Sequence, residues 1–246
     1  MKGLMDKIRR KWMKIRLRPI RVFVVHNVSE QYSSAEGLPE DWMSTADFRR
    51  SILELKKKYT FISTEEALRH LKNDVIRFRN YAVLHADDGY KSVYKQLPWL
   101  IENNVPITML INTKYLDGQS CSDHVWKYVH EQHPELKKEE FIEERYMTFD
   151  DLKAITSHII TIGSHGHEHI DNGVMDMDTF IENLDVAINI ISKYHACAPY
   201  HAYPCGRYTK EEDRILVKRG IVPLLADFGY NWNDATRLHR EVLPKI

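Results

Sequence analysis

Cysteine is scarce in this chain and poorly spaced for cross-linking. Cys121, Cys197 and Cys205 are an odd number at wide intervals, which excludes both a disulfide framework and a paired CxxC zinc site. Reduced thiols in a cytosolic protein are the simpler reading. Long apolar runs are missing too: the basic N-terminus has neither the apolar stretch nor the small-residue cleavage site of a signal peptide, and no segment is long enough to span a bilayer. Net charge is also absent. Lys+Arg and Asp+Glu are both 35, so no whole-molecule field recommends nucleic acid as a partner. What is present, 43% hydrophobic and 28% charged residues in 246, is the balance of one sizeable globular core.

The charge is nevertheless uneven. Residues 1–21 carry Lys2, Lys7, Arg9, Arg10, Lys11, Lys14, Arg16, Arg18 and Arg21 against Asp6 alone. Leu4, Ile8, Trp12 and Ile15 recur at spacings of four, four and three, which predicts a helix with one apolar stripe and a cationic face, ended by Pro19. We therefore separate residues 1–20 from a main domain at 21–246. Through residues 1–18 such a helix could rest on an anionic membrane surface or a partner, or pack locally. The expected location is the cytoplasm, peripheral to the inner membrane.

From Arg21 onward, short apolar runs alternate with amphipathic stretches, the sign of repeated βα units. Strands are expected at 22–25, 60–63, 82–86, 107–111, 159–162, 201–204 and 222–226. Helices are expected at 45–58, 64–72, 90–103, 148–157, 177–194 and 209–219. Thr148 before Asp150 and Asp151, and Thr209 before Glu211 and Glu212, place hydroxyl caps and acids at helix starts. Seven strands with intervening helices imply an α/β barrel or a strongly curved sheet. Residues 116–146 are polar and read as an insertion.

Two constellations carry chemistry. The run Tyr81-Ala82-Val83-Leu84-His85 leads into Ala86-Asp87-Asp88-Gly89, two carboxylates at the C-terminal end of a strand, where barrel active sites lie. Neighbouring side chains on a strand point opposite ways, so the two acids serve different ends only if the chain has begun to turn there; Gly89 permits the turn. The second run, Gly163-Ser164-His165-Gly166-His167-Glu168-His169, has three histidines at alternate positions. Packing rarely calls for so many imidazoles, and imidazole is the commonest metal-ligand side chain. His165 and His169 share a face in either a helical or an extended conformation, and His167 joins them only in the latter. Two His and one Asp leave coordination positions open, as catalytic rather than structural sites do. The same triad also occurs in Fe(II) oxygenases, but there it sits in a different strand pattern.

Together, His85-Ala86-Asp87-Asp88-Gly89, His165-Gly166-His167-Glu168-His169 and His201-Ala202-Tyr203-Pro204-Cys205-Gly206 resemble, in order and spacing, the motifs of the polysaccharide deacetylase (NodB-homology) family. The resemblance extends over about residues 20–246 and implies a distorted (β/α)7 barrel that removes N-acetyl, less often O-acetyl, groups from an acetylated sugar or glycan. It implies one divalent metal, zinc first and cobalt, nickel, iron or manganese otherwise, held by Asp88, His165 and His169. Asp87 is then the general base, and the Cys205 backbone N–H a donor to the oxyanion. The chain departs from the family pattern at Ala202, where many members carry an arginine that orients the base, and it lacks the late Leu-x-His motif that supplies the general acid. His239 and His26 are the candidates for that acid. Tyr203 and Trp232 are candidates for contact with the sugar. A homologue that keeps the metal and binds glycan without turning it over is the alternative reading.

Overall fold

In the computed structural model of the chain, residues 18–30, 41–72, 79–117 and 146–246 are described, with positions 127, 130, 131, 134, 135 and 137. The expected N-terminal helix, most of the expected insertion and Cys121 lie outside the described residues. The strands in chain order are β1 (Arg21–Val25), β2 (Asn27–Ser29), β3 (Trp42–Ser44), β4 (Thr60–Phe61), β5 (Tyr81–Ala86), β6 (Ile107–Ile111), β7 (Ile160–Ser164), β8 (Cys197–Ala202), β9 (Val222–Leu225), β10 (Leu238–His239) and β11 (Glu241–Val242). One sheet runs in the order β10-β9-β8-β7-β6-β5-β1-β11, with β4 on the lower half of β5 and every pairing parallel. β10 and β11 are consecutive pieces of one extended segment, broken at Arg240. The first piece pairs with β9 and the second with β1, so this short segment spans the gap and nearly closes the sheet into the expected barrel.

Strand alternation separates two cores. Phe23, Leu84, Met109 and Ile162 face outward and join Phe48, Ile52, Leu100 and Leu152 of the surrounding helices. Val22, Val83, Leu110, Ala202, Leu224 and Leu238 form the inner cluster. The helix Thr64–Lys72 belongs to that inner cluster: its Ala67, Leu68 and Leu71 pack with Ile20, Tyr81, Ala198 and Val222, at or beside the strand starts. It plugs the N-terminal end of the barrel. The chemistry is thereby confined to the other mouth.

Several boundaries differ from those expected. The helix expected at 90–103 is two pieces, Lys91–Tyr94 and Leu97–Glu102, because Pro98 has no N–H to give the Tyr94 carbonyl. β8 begins four residues before the expected 201, its first half disguised by Pro199. β4 stops at Phe61 because Ser63 turns to cap the next helix, accepting from Glu66 N at 3.1 Å. Thr148 and Thr209 both form capping boxes, with Asp151 and Glu212.

Candidate active site

Asp87 continues β5 past its end, its N–H bonded to the Val25 carbonyl at 3.1 Å, and its side chain is buried in the barrel mouth. The chain then turns. Asp88 (φ 69°) and Gly89 (φ 75°) are both left-handed, so the Asp88 carboxylate swings to the same mouth instead of the opposite face. Gly89 has a second reason to be glycine: a Cβ there would come within 3.0 Å of the Ile111 side chain.

The histidine loop is built from β7. His165 N bonds Ile111 O at 2.9 Å, and Asn112 Nδ2 holds the His165 carbonyl at 2.5 Å. Asn183, on the helix Met177–Tyr194, clamps the loop at Glu168: its Oδ1 accepts from Glu168 N at 2.7 Å and its Nδ2 donates to Glu168 O at 3.1 Å. A Cβ at Gly166 would meet that amide at 2.7 Å, and Gly166 is left-handed at φ 85°, which explains glycine after the first histidine. His167 turns away from the others and its Nδ1 meets Thr113 Oγ1 at 2.9 Å.

Asp88 Oδ1 lies 3.1 Å from His165 Nε2 and 3.4 Å from His169 Nε2. The three donor atoms lie within 4.8 Å of one another, the one such group of three His, Cys, Asp or Glu among the described residues. His165 Nδ1 is engaged by Ala202 O at 2.9 Å, which fixes the ring with Nε2 facing the cluster. Cys205 Sγ lies 4.0 Å from His169 Nδ1. Burial opposes charge on Asp88, but its polar contact with His165 and the nearby His169 prevails and holds its carboxyl well below the usual range. Burial lowers His169 to about 4. The set fits one divalent ion: one anionic oxygen, two imidazole nitrogens facing it, and a buried Asp88 Oδ1 for which no donor sits in good hydrogen-bond geometry.

Beside this cluster Arg240 Nη1 donates to Asp87 Oδ1 at 2.7 Å, both side chains almost wholly buried. Burial opposes the Asp87 charge, and the Arg240 guanidinium outweighs it, so this acid stays ionised below its ordinary range. Arg240 is itself pinned, its N and Nε both donating to Leu225 O at 3.1 and 3.3 Å. No motif announced this residue; it reaches the mouth from the barrel seam. One layer deeper, His85 Nε2 meets Thr64 Oγ1 at 3.0 Å, and Thr64 meets Thr108 at 2.7 Å.

The remaining candidates separate clearly. His26 follows β1, faces inward and acts electrostatically on Asp87, Asp88 and His169; its Nδ1 stands 3.8 Å from Asp41. His239 is not brought to the mouth. It precedes inward Arg240, so alternation turns it outward, onto Asp227 at 2.9 Å and against Gly229. Tyr203 is not brought there either. It is buried on the outer side of the sheet, stacked on Tyr208 at 4.8 Å and beside Phe180, while its neighbour Ala202 faces in. Trp232 follows Asn231, which pairs with Ile20 at the start of β1. A five-residue strand, roughly 17 Å, separates that end from His26. Cys205 is close by, in a left-handed conformation at φ 57°.

Fold and site together define a class: parallel β/α barrels with an Asp-His-His cluster and a second, buried Asp at the mouth. A sequence model of the polysaccharide deacetylase family matches residues 79–223, more than half of the chain, and the chain belongs to that family. Membership supports a hydrolase acting on carbohydrate acetyl groups. Among solved structures, Streptococcus pyogenes deacetylase PplD in complex with acetate superposes with a TM-score of 0.69 at 17% identity, covering 93% of this chain and 94% of that one. IcaB from Ammonifex degensii gives 0.66 at 16%, covering 92% and 94%. A Bacillus cereus polysaccharide deacetylase gives 0.70 at 14%, covering 92% of this chain and 65% of that one. No curated protein matches the chain in sequence.

Proposed function

We propose that the chain is a metal-dependent deacetylase that hydrolyses N-acetyl groups, in preference to O-acetyl groups, on a sugar or glycan. The observation that carries this reading is Asp87, kept ionised by buried Arg240 immediately beside the Asp88, His165 and His169 cluster. A pure binding protein has no use for an isolated base held in this way. Residues 21–246 form the catalytic domain in this reading.

Asp88, His165 and His169 would hold one divalent ion, zinc first. When bound, the ion supplies Lewis acidity that activates water and polarises the acetyl carbonyl. Asp87 takes the proton from the attacking water, and Arg240 keeps Asp87 aimed and charged until it does. The Cys205 backbone N–H, on its left-handed turn, donates to the oxyanion as the carbonyl carbon becomes tetrahedral. His26 then gives a proton to the departing amine nitrogen as the C–N bond breaks and acetate forms, with Asp41 orienting its Nδ1 side.

The test is acetate release from acetylated sugars and chito-oligosaccharides by protein stripped of metal and reloaded with zinc or cobalt, beside Asp87→Asn. Metal-dependent release that disappears in Asp87→Asn is expected. Metal bound at the site with no release from any substrate would overturn the enzyme in favour of a glycan-binding homologue.

A further inference from the structure

Three aromatic side chains stand out of the barrel wall near the seam, where none of the chemistry above uses them. Phe228 is 67% exposed, Tyr230 45% and Trp232 37%. Their rings touch in series, with centroids 5.7 and 6.2 Å apart. The Arg21 guanidinium backs two of them, 5.8 Å from Phe228 and 5.0 Å from Tyr230, while its charge is matched by Glu241. Single exposed apolar residues need no explanation, but a contiguous aromatic row does.

The row adjoins the point where the basic end of the chain meets the barrel. Asn231, between Tyr230 and Trp232, accepts from Ile20 N at 2.9 Å. The residues before Arg18 carry seven Lys and Arg against the single acid Asp6. Aromatic rings settle at the headgroup level of a bilayer, and clustered cations are drawn to its anionic lipids. The two features therefore address one kind of surface.

We propose that the Phe228–Tyr230–Trp232 wall is a docking surface for an anionic lipid bilayer, the basic sequence that precedes β1 being the reason for anionic rather than neutral lipid. A sugar-stacking platform is the other use of such rings. Here successive rings are inclined at 73° and 56° and Arg21 occupies the side of two of them, so they offer no common flat face. Docking leaves the catalytic mouth uncovered: the rings point out of the wall, whereas His26, Asp87 and Asp88 point into the barrel. Among the described residues no helix is long and apolar enough to cross a membrane, and the attachment proposed is interfacial.

The experiment is co-sedimentation of the full chain with phosphatidylglycerol-containing vesicles and with pure phosphatidylcholine vesicles. The wild type sediments with the anionic vesicles alone. Phe228→Ser/Tyr230→Ser and, separately, Arg9→Gln/Arg10→Gln/Lys11→Gln each weaken partitioning by about tenfold, as expected for a joint aromatic and electrostatic contact. Both keep acetate release from a soluble substrate, so their folding is checked independently. Should the double serine variant misfold, quenching of tryptophan emission by brominated lipids decides instead, wild type being quenched more than Trp232→Phe. No sedimentation with anionic vesicles, or sedimentation and quenching indifferent to the aromatic substitutions, overturns the proposal. So does retention on an insoluble acetylated glycan that the aromatic variant loses, which would make the row a sugar site.

Discussion

Arg240 and Asp87 are 153 residues apart in the chain and 2.7 Å apart in space, joined inside the barrel mouth where neither meets water. Arg240 is also the residue at which the closing segment changes partners, from β9 on one side to β1 on the other. Closure of the barrel and orientation of the acid therefore meet at one residue. Removing one partner of a buried ion pair strands the other.

Arg240→Met should consequently destabilise the fold by about 3–5 kcal/mol, read from urea melts, and pairing it with Asp87→Asn should restore much of the loss. Arg240→Lys is the variant that reports on function. It keeps a charge but not the planar fork that bonds both Asp87 and Leu225 O, and lysine is no substitute for such geometry. We expect kcat to fall ~10–100-fold, the usual cost of losing a partner that orients a site residue, with KM nearly unchanged because Arg240 acts through Asp87. Wild-type kcat in Arg240→Lys would remove the positioning role.

The two histidines proposed as proton donors make opposite predictions. His26→Gln should lower acetate release from N-acetyl substrates by ~10²–10⁴-fold, and by much less for substrates whose leaving group needs no proton. His239→Gln should stay within about twofold of wild type, since surface changes away from a site rarely matter more. Parallel rate measurements on the two variants decide it. Equal losses in both would mean that His239 reaches the mouth after all.

Much of this site was legible because its residues are close in sequence: the adjacent acids with Gly89, and the histidines four apart, each follow a recognisable strand. Two candidates that the structure does not bring to the mouth share one physical cause. Tyr203 and His239 each sit one residue from an inward-facing neighbour, Ala202 and Arg240, and strand parity turns a one-residue displacement into the opposite face. Apolar content does not report parity when both faces of a sheet are buried. Trp232 lies away from the mouth for a different reason, because aromatic content cannot say which end of a barrel a crossover loop reaches. Arg240 was illegible since its meaning lies in a gap that exists only once the sheet has curled. β2 and β3 are three residues each, too short for any periodicity.

Metal binding should be visible without turnover. A ligand that binds only the folded state at 100 times its Kd raises stability by about 2.7 kcal/mol, several degrees in a thermal melt. Zinc or cobalt added to stripped protein should produce such a rise in the wild type and in Asp87→Asn, which keeps all three donors. Asp88→Asn removes the anionic oxygen and His169→Gln an imidazole, and each should lose most of the rise. A shift that survives in both would place the ion elsewhere.

Stability should also fall with acid, for a reason that lies beside the Asp88, His165 and His169 cluster. Burial pushes both His85 and His201 down to about 3, from an ordinary 6.5; the first meets Thr64, and the second lies between Ser164 and Phe180. The sign comes from counting protons. Above pH 6.5 both imidazoles are neutral in folded and unfolded chains, so their contribution is constant. Between 6.5 and about 3 the unfolded chain takes up protons that the folded chain refuses, so folding weakens as pH drops. Each such group contributes a slope approaching ~1.4 kcal/mol per pH unit. His201→Gln removes one titrating group while keeping a side chain able to bond Ser164. Urea midpoints of metal-free protein between neutrality and mild acid should therefore decline less steeply in this variant than in the wild type, by up to one proton's worth of slope, whatever the carboxylates add to both. Identical slopes would mean that His201 already accepts a proton in the folded barrel, and that the outer core around Phe180 is wetter than its packing implies.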